Sequence, residues 1–108
     1  MANLLAIGAL ADPTRRAIYE SIGAKPNAVG EIAARFPVTR PAVSQHLKVL
    51  REAGLVVETR AGTRRLYTAN PATALELRDY FQGVWERALR AYAEHVATEE
   101  SRHGRNDR

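Results

Sequence analysis

Cysteine is absent from this 108-residue sequence, which excludes disulfide bonds and thiolate metal sites. The absence also fits a reducing compartment. No apolar run approaches the ~18 residues that suggest a membrane-spanning helix, and residues 1–12 lack the basic segment and cleavage site of an export signal. We therefore expect a cytoplasmic protein without a membrane partner.

Patterns that enzymatic chemistry usually requires are also missing. The sequence has no cysteine nucleophile, no glycine-rich loop to cradle a phosphate and no clustered carboxylate–histidine arrangement. We therefore predict that the protein is not an enzyme and uses no cofactor.

What is present is one folded domain with unevenly distributed charge: 45% of residues are hydrophobic and 26% are charged. The net charge is +4, and the window from Thr39 to Arg65, with six basic and two acidic side chains, accounts for all of it. The rest of the chain has ten of each sign. Such a local excess indicates a polyanionic partner that is contacted there.

The segment from Thr39 to Leu55 has the pattern of an amphipathic helix. Thr39 is a candidate N-cap, Pro41 is tolerated in a first turn, and Gly54 suits the left-handed residue that follows a helix. The apolar face carries Val43, Leu47 and Leu50, and the polar face carries Arg40, Ser44, Gln45 and Lys48. This pattern fits a helix lying in the DNA major groove, although many surface helices share it.

Shorter helices are predicted before this segment. Residues 3–10 form an apolar helix that its own domain or a second subunit must cover. Asp12-Pro13 is an N-cap followed by proline at the first helical position, and it opens a helix that ends before Gly23. A third helix runs from Ala28 to about Arg35, with Asn27 as its candidate cap, and a tight turn then leads into Thr39. The third helix and the helix that begins at Thr39 together form a helix-turn-helix.

After Gly54 the pattern changes to that of a hairpin. Residues 55–60 alternate like a strand, 61–63 form a turn, and 64–69 form the return strand. A two-stranded hairpin is marginal alone, so it must pack against the helices. Its tip carries Arg60, Arg64 and Arg65, which we interpret as a basic wing; the alternative is an ordinary solvated arginine cluster.

The last helix is predicted from near Ala74 to Thr98, and residues 99–108 are expected to form a disordered polar tail. This helix is longer than the core of so small a domain can cover. Its apolar stripe is therefore expected to pack, with the first helix, against a second copy of the chain. The predicted dimer surface comprises Leu4, Leu5, Phe81, Val84, Trp85, Ala88, Tyr92 and Val96.

Four stretches together resemble the ArsR-type (arsenic-repressor-like) winged helix-turn-helix regulators, over about residues 3–97. They are ALADPTRRAIYESI (9–22), VGEIAARF (29–36), SQHLKVLREAGLV (44–56) and TRAGTRRLYTAN (59–70). The resemblance implies a mainly α fold with a small hairpin, in the order α-α-α-α-β-β-α, dimeric through the first and last helices. It also implies a homodimeric repressor that binds double-stranded DNA at an inverted-repeat operator.

The resemblance further implies roles for individual residues. The DNA-binding set would be Thr39, Arg40, Ser44, Gln45, Lys48, Arg60, Arg64 and Arg65. Thr39 would contact phosphate, and the wing arginines would enter or straddle the adjacent minor groove. Gln45 could read adenine and Arg40 guanine, or either could bind backbone. His46 lies in the apolar arc, where a packed histidine hydrogen-bonded to backbone is favoured.

Many such regulators sense metals, but the ligand pattern is broken here. One family site needs cysteines, and another needs four ligands on the terminal helix. Asp79 and His95 match two of those positions, whereas Phe81 and Tyr92 occupy the other two and are not normal zinc ligands. We therefore predict a branch without metal ligands. A small-molecule effector between the terminal helices remains open beside ordinary dimer packing.

A competing hypothesis is a winged-helix interaction or assembly module without specific DNA binding. It predicts a neutral face on the helix from Thr39 to Leu55. The basic side chains of that face favour the DNA-binding interpretation.

Overall fold

The computed structural model describes residues 2–106 and contains five helices and three strands in that part of the chain. The elements are α1 (Ala2–Leu10), α2 (Pro13–Ile22), β1 (Asn27–Ala28), α3 (Val29–Ala33), α4 (Arg40–Glu52), β2 (Val56–Ala61), β3 (Arg64–Ala69) and α5 (Pro71–Asn106). The chain divides into two compact units between Leu77 and Arg78, within α5. Within the described residues, none of the helices combines the length and the apolar character needed to cross a membrane.

The first unit contains the hydrophobic core. Its largest fully buried side chains come from α2, α3, α4 and the segment after α4: Ile18, Ile32, Val43, Leu47, Leu50 and Leu55. Burial of an aliphatic side chain of this size stabilises the fold by about 1.5–3 kcal/mol. The three from α4 recur at helical spacing, so the apolar face predicted for this helix is confirmed.

Local signals set the ends of α4 as predicted. The backbone N–H of Ala42 donates to Thr39 Oγ1 at 3.2 Å, which makes Thr39 the N-cap. Gly54 follows the helix with φ of 78°, a conformation that favours glycine. The N–H of Leu55 then donates to the Leu50 carbonyl at 2.9 Å, as in a Schellman motif. Both predicted ends are confirmed.

The start of α2 also follows its predicted cap. Asp12 has an extended backbone, Pro13 occupies the first helical position, and the N–H of Arg15 donates to Asp12 Oδ1 at 2.9 Å. This hydrogen bond favours the charged carboxylate and is the main cause of the lowered pKa of Asp12. The helix ends at Gly23, whose φ of 64° again suits glycine.

The sheet has three antiparallel strands in the order β1-β3-β2, so the predicted two-stranded hairpin was incomplete. The β2–β3 hairpin forms as expected, with Gly62-Thr63 as its two-residue loop. Gly62 has φ of 64° at the first central position, as a type II′ turn requires. The missed strand β1 has only two residues, and its pairing with β3 depends on contacts distant in sequence.

Asn27 is not the cap that we predicted for α3. Ala28 is the N-cap of that helix and makes no side-chain capping bond. The Asn27 side chain is buried instead, and its Nδ2 donates to the carbonyls of Ile22 at 2.9 Å and Lys25 at 2.6 Å. Its Oδ1 accepts from Arg35 Nη2 at 2.5 Å. Asn27 therefore joins the end of α2 to β1.

The last helix begins earlier than predicted, at Pro71 rather than near Ala74. Asn70 Oδ1 accepts from the backbone N–H of Ala72 at 3.1 Å, so Asn70 caps the helix and Pro71 occupies its first position. The same amide donates through Nδ2 to the Gly54 carbonyl at 3.0 Å. This bond ties the start of α5 to the end of α4.

The last helix also ends later than predicted. It continues past Thr98 as far as Asn106, so the expectation of a disordered tail over residues 99–108 is wrong for 99–106. Asp107 and Arg108 lie outside the described residues. The tail is rich in charged residues, but several of them are good helix formers and extend a helix that has already begun.

Candidate nucleic-acid interface

The polar face of α4 is exposed along its length. Thr39 and the four predicted reading residues, Arg40, Ser44, Gln45 and Lys48, are all accessible to solvent. On the opposite face, Val43, Leu47 and Leu50 are fully buried. The core therefore determines which face of α4 points outward, and that face carries hydrogen-bonding and positively charged groups.

A groove of about 460 Å³ runs between α4 and the sheet. Its lining comprises Val29, Arg40, Pro41, Ser44, Gln45, Lys48, Arg51, Arg65 and Tyr67. The groove thus brings together all four predicted readers on α4 and one predicted wing residue. Four of its lining side chains are cationic, so the groove is positively charged.

Arg51 and Tyr67 line this groove but were not among the predicted site residues. Arg51 could have been found from the sequence, because it lies three residues after Lys48 and seven after Ser44 on the same helical face. Tyr67 belongs to the return strand β3, and it is buried against the core. No sequence pattern indicates that its side chain also reaches a groove beside α4.

The three wing arginines divide between the two faces of the hairpin. Arg60 and Arg65 are paired across β2 and β3 and share one face, whereas Arg64 is paired with Ala61 on the other. Arg64 Nη2 lies 2.7 Å from Glu31 Oε1 of α3. Both side chains of this ion pair are more than half exposed, at 60% and 52%, so it contributes about 0–1 kcal/mol. All three arginines are exposed as predicted.

Glu58 of β2 places a carboxylate at the edge of the basic groove. Its Oε2 pairs with Nη1 of Arg51, and its Oε1 lies 3.4 Å from Nε of Arg65. The Glu58 side chain is only 13% exposed. Across the hairpin, Glu58 is paired with Tyr67. Burial raises the pKa of Tyr67, and the nearby Glu58 charge raises it further.

Two histidine predictions concern residues outside the groove. His46 is half-buried on the flank of α4, and its hydrogen bond to backbone remains a prediction.

Asp79 and His95 lie on α5, sixteen residues apart. They are therefore separated by about 24 Å along the helix and could not bind one ion within a single chain. Asp79 Oδ1 instead accepts from Nη2 of Arg78 at 3.1 Å.

The residues of the predicted dimer surface are mostly exposed. In the second unit, Trp85 is 66% and Tyr92 67% exposed, and Phe81, Val84 and Ala88 are also accessible, whereas Val96 is half-buried. In the first unit, Leu4 and Leu5 on α1 are exposed as well. Large apolar side chains in such a stripe commonly mark an interaction surface.

The α3–α4 pair and the β2–β3 hairpin together define a winged helix-turn-helix protein. Residues 10–59 match a family model described as a helix-turn-helix domain. The predicted fold class is therefore confirmed, with β1 as an addition to it.

Two curated relatives show the family. The chain is 53% identical over 91 residues to the HTH-type transcriptional regulator Rv2034 of Mycobacterium tuberculosis, covering 84% of this chain and 85% of the relative. It is 34% identical over 62 residues to the transcriptional repressor SdpR of Bacillus subtilis, covering 57% and 69%.

Solved structures agree with this assignment. An ArsR-like transcriptional regulator from Rhodococcus sp. RHA1 matches with a TM-score of 0.69 and 29% identity, over 83% of this chain and 88% of that one. The homodimeric winged helix-turn-helix DNA-binding domain of Mb0332 from Mycobacterium bovis matches with a TM-score of 0.61 and 26% identity, over 81% and 78%. The chain belongs to the ArsR family of DNA-binding transcriptional regulators.

Proposed function

We propose that this regulator is a cytoplasmic repressor, not an enzyme, and that it binds an inverted-repeat operator as a homodimer. The observation that carries the proposal is a basic groove that joins the exposed face of α4 to the wing. The name of the relative SdpR, a transcriptional repressor, supports repression over activation.

In this proposal α4 lies in the major groove and the wing contacts the flanking backbone or minor groove. Gln45 and Arg40 are the candidates for base contacts, because an amide can bind adenine and a guanidinium can bind guanine through two hydrogen bonds. Ser44 and Lys48 lie beside them on the same face, and Thr39 contacts a phosphate at the start of the helix. Arg60, Arg64 and Arg65 supply contacts from the wing.

We further propose that residues 1–98 form a winged-helix domain whose first and last helices create the dimer. The exposed apolar stripe of α5 and the exposed leucines of α1 each support this, since uncovered side chains of this size favour burial against a partner. The homodimeric Mb0332 domain supports it independently. In the dimer, the two copies of α4 would lie about 34 Å apart and enter successive major grooves.

The test combines a selection of bound sequences from a random DNA pool, at a stated salt concentration, with sedimentation of the free protein. We expect enrichment of a palindromic motif and a dimer at micromolar concentration. A stable monomer would contradict the dimer. No enrichment of any sequence would favour the interaction-module hypothesis. Repression is then tested with a reporter gene placed behind the selected operator.

A further inference from the structure

Glu58 is unusual because a DNA-binding surface places a negative charge beside its own phosphate-binding groups. The side chain lies between α4 and β3, and its two oxygens pair with Arg51 and Arg65. Both guanidiniums line the groove that contains the proposed readers. A carboxylate at such a place repels DNA, so simple electrostatics predicts that its removal should strengthen binding.

The geometry points to the opposite role: we propose that Glu58 is a positioning residue that holds Arg51 and Arg65 side by side to contact the DNA backbone. This inference rests on the proposed function, which places α4 and the wing on DNA. It also adds Arg51 to the residues that contact DNA.

The pairing leaves both arginines free to bind phosphate. A guanidinium has five N–H donors, and Glu58 engages only one edge of each. The side chains of Arg51 and Arg65 remain 44% and 57% exposed, so their other donors are accessible from the groove. A long side chain that is already held in place loses less conformational freedom when it binds a phosphate.

Burial distinguishes Glu58 from the other acidic residue beside the wing. Glu31 pairs with Arg64 alone, and 52% of its side chain is exposed. Water screens such a pair, and a mobile partner gains little orientation from it. Glu58 is 13% exposed and joins two different elements, the helix α4 and the strand β3. It therefore restrains the helix and the wing relative to each other.

The two acidic residues provide a matched pair of variants. Glu58→Gln and Glu31→Gln each remove one negative charge near the wing with almost no change in shape. Both variants and the wild type should be titrated by fluorescence anisotropy with the selected operator duplex at several salt concentrations. Circular dichroism and stoichiometric titration give the folded, active fraction of each protein.

We expect Glu31→Gln to bind more tightly than the wild type, since it only removes a repulsive charge. We expect Glu58→Gln to bind about 2- to 10-fold more weakly, because the two arginines must be ordered upon binding. Equal or tighter binding by Glu58→Gln, parallel to Glu31→Gln, would overturn the inference.

A double-mutant cycle tests whether Glu58 acts through Arg51. Arg51→Ala should weaken binding and reduce the slope of log K against log salt by about 1, as loss of one phosphate contact does. In that background Glu58→Gln should weaken binding less than it does in the wild type. An unchanged salt slope in Arg51→Ala would overturn the inference, even if Glu58→Gln did not fold. A wild type that enriched no sequence would instead show that the proposed function itself had failed.

Discussion

The two units of the chain use the same kind of amphipathic helix with opposite results. In the first unit, Val43, Leu47 and Leu50 of α4 are fully buried in the hydrophobic core. In the second unit, Trp85 and Tyr92 are larger and also lie in an apolar stripe, yet each is about two-thirds exposed. An amphipathic pattern therefore predicts which face of a helix is buried, but not whether its own chain buries it.

Length explains part of the difference. The helix α4 has 13 residues, which suits the core of a small domain. The helix α5 has 36 residues, and at 1.5 Å per residue it is about 54 Å long. A single chain of this size has too little apolar material to cover such a helix. The first unit is expected to be stable through its own packing, and the exposed stripe of the second is expected to drive association.

The largest expected effect comes from breaking the core of the first unit. Leu47→Ala should lower the free energy of unfolding by about 2–5 kcal/mol, because it leaves a cavity at a fully buried site. Urea denaturation at fixed protein concentration measures this. Leu75→Ala is the control, since that leucine is half exposed and its loss should cost much less. Equal losses would mean that complete burial does not distinguish Leu47 from a half-exposed leucine of the same unit.

Association should depend on the second unit. The double variant Trp85→Ala and Tyr92→Ala should weaken the dimer by at least about 2 kcal/mol, because large aromatic residues dominate protein interfaces. Sedimentation over a range of concentrations measures the change. Glu86→Ala, an exposed acidic neighbour, should leave the dimer intact. Retention of the dimer by the double variant would place the interface elsewhere.

A substitution in the reading face should separate DNA recognition from association. Gln45→Ala is expected to weaken binding to the selected operator by about 1–3 kcal/mol and to relax specificity at one base position. Its sedimentation should match that of the wild type, because Gln45 lies on the exposed face of α4 and not in the α5 stripe. An equal loss of affinity for all DNA sequences would mean that Gln45 contacts the DNA backbone and not a base.

The smallest expected effect concerns the cap of α2. The folded-state pKa of Asp12 is lowered, chiefly by the hydrogen bond from the backbone of Arg15. Its contribution to stability is therefore present above the unfolded-state pKa, about 3.9, and is lost as the pH falls through the folded-state value. Asp12→Asn retains a capping oxygen but does not titrate. Thermal melts should show a smaller acid-dependent fall in Tm for Asp12→Asn than for the wild type, and equal falls would exclude this contribution.

Predictions that rested on one particular capping or turn residue were accurate at three positions. Thr39, Gly54 and Gly62 set helix ends and a turn through their own backbone or side-chain chemistry, and the structure has all three as predicted. Predictions that depended on distant partners were less complete. The strand β1 is too short to show a pattern. The Asn27 side chain bonds to Ile22, Lys25 and Arg35 instead of capping the first turn of α3.

The candidate site shows the same division. The spacing of residues on α4 was enough to predict its outward face, because helical geometry alone assigns each residue to a side. The pairing of Glu58 with arginines from α4 and β3 could not be predicted, since it depends on how the hairpin packs against the helix.

The sequence by itself determined the ends of α4, the β2–β3 hairpin, the local charge excess and the resemblance to the family, because these depend on residue type and spacing. Only the tertiary structure decided which apolar stripe is covered within the chain and which remains exposed. It also decided which arginines share the groove with α4. Both outcomes depend on packing between segments that are distant in sequence, and local propensity carries no information about such contacts.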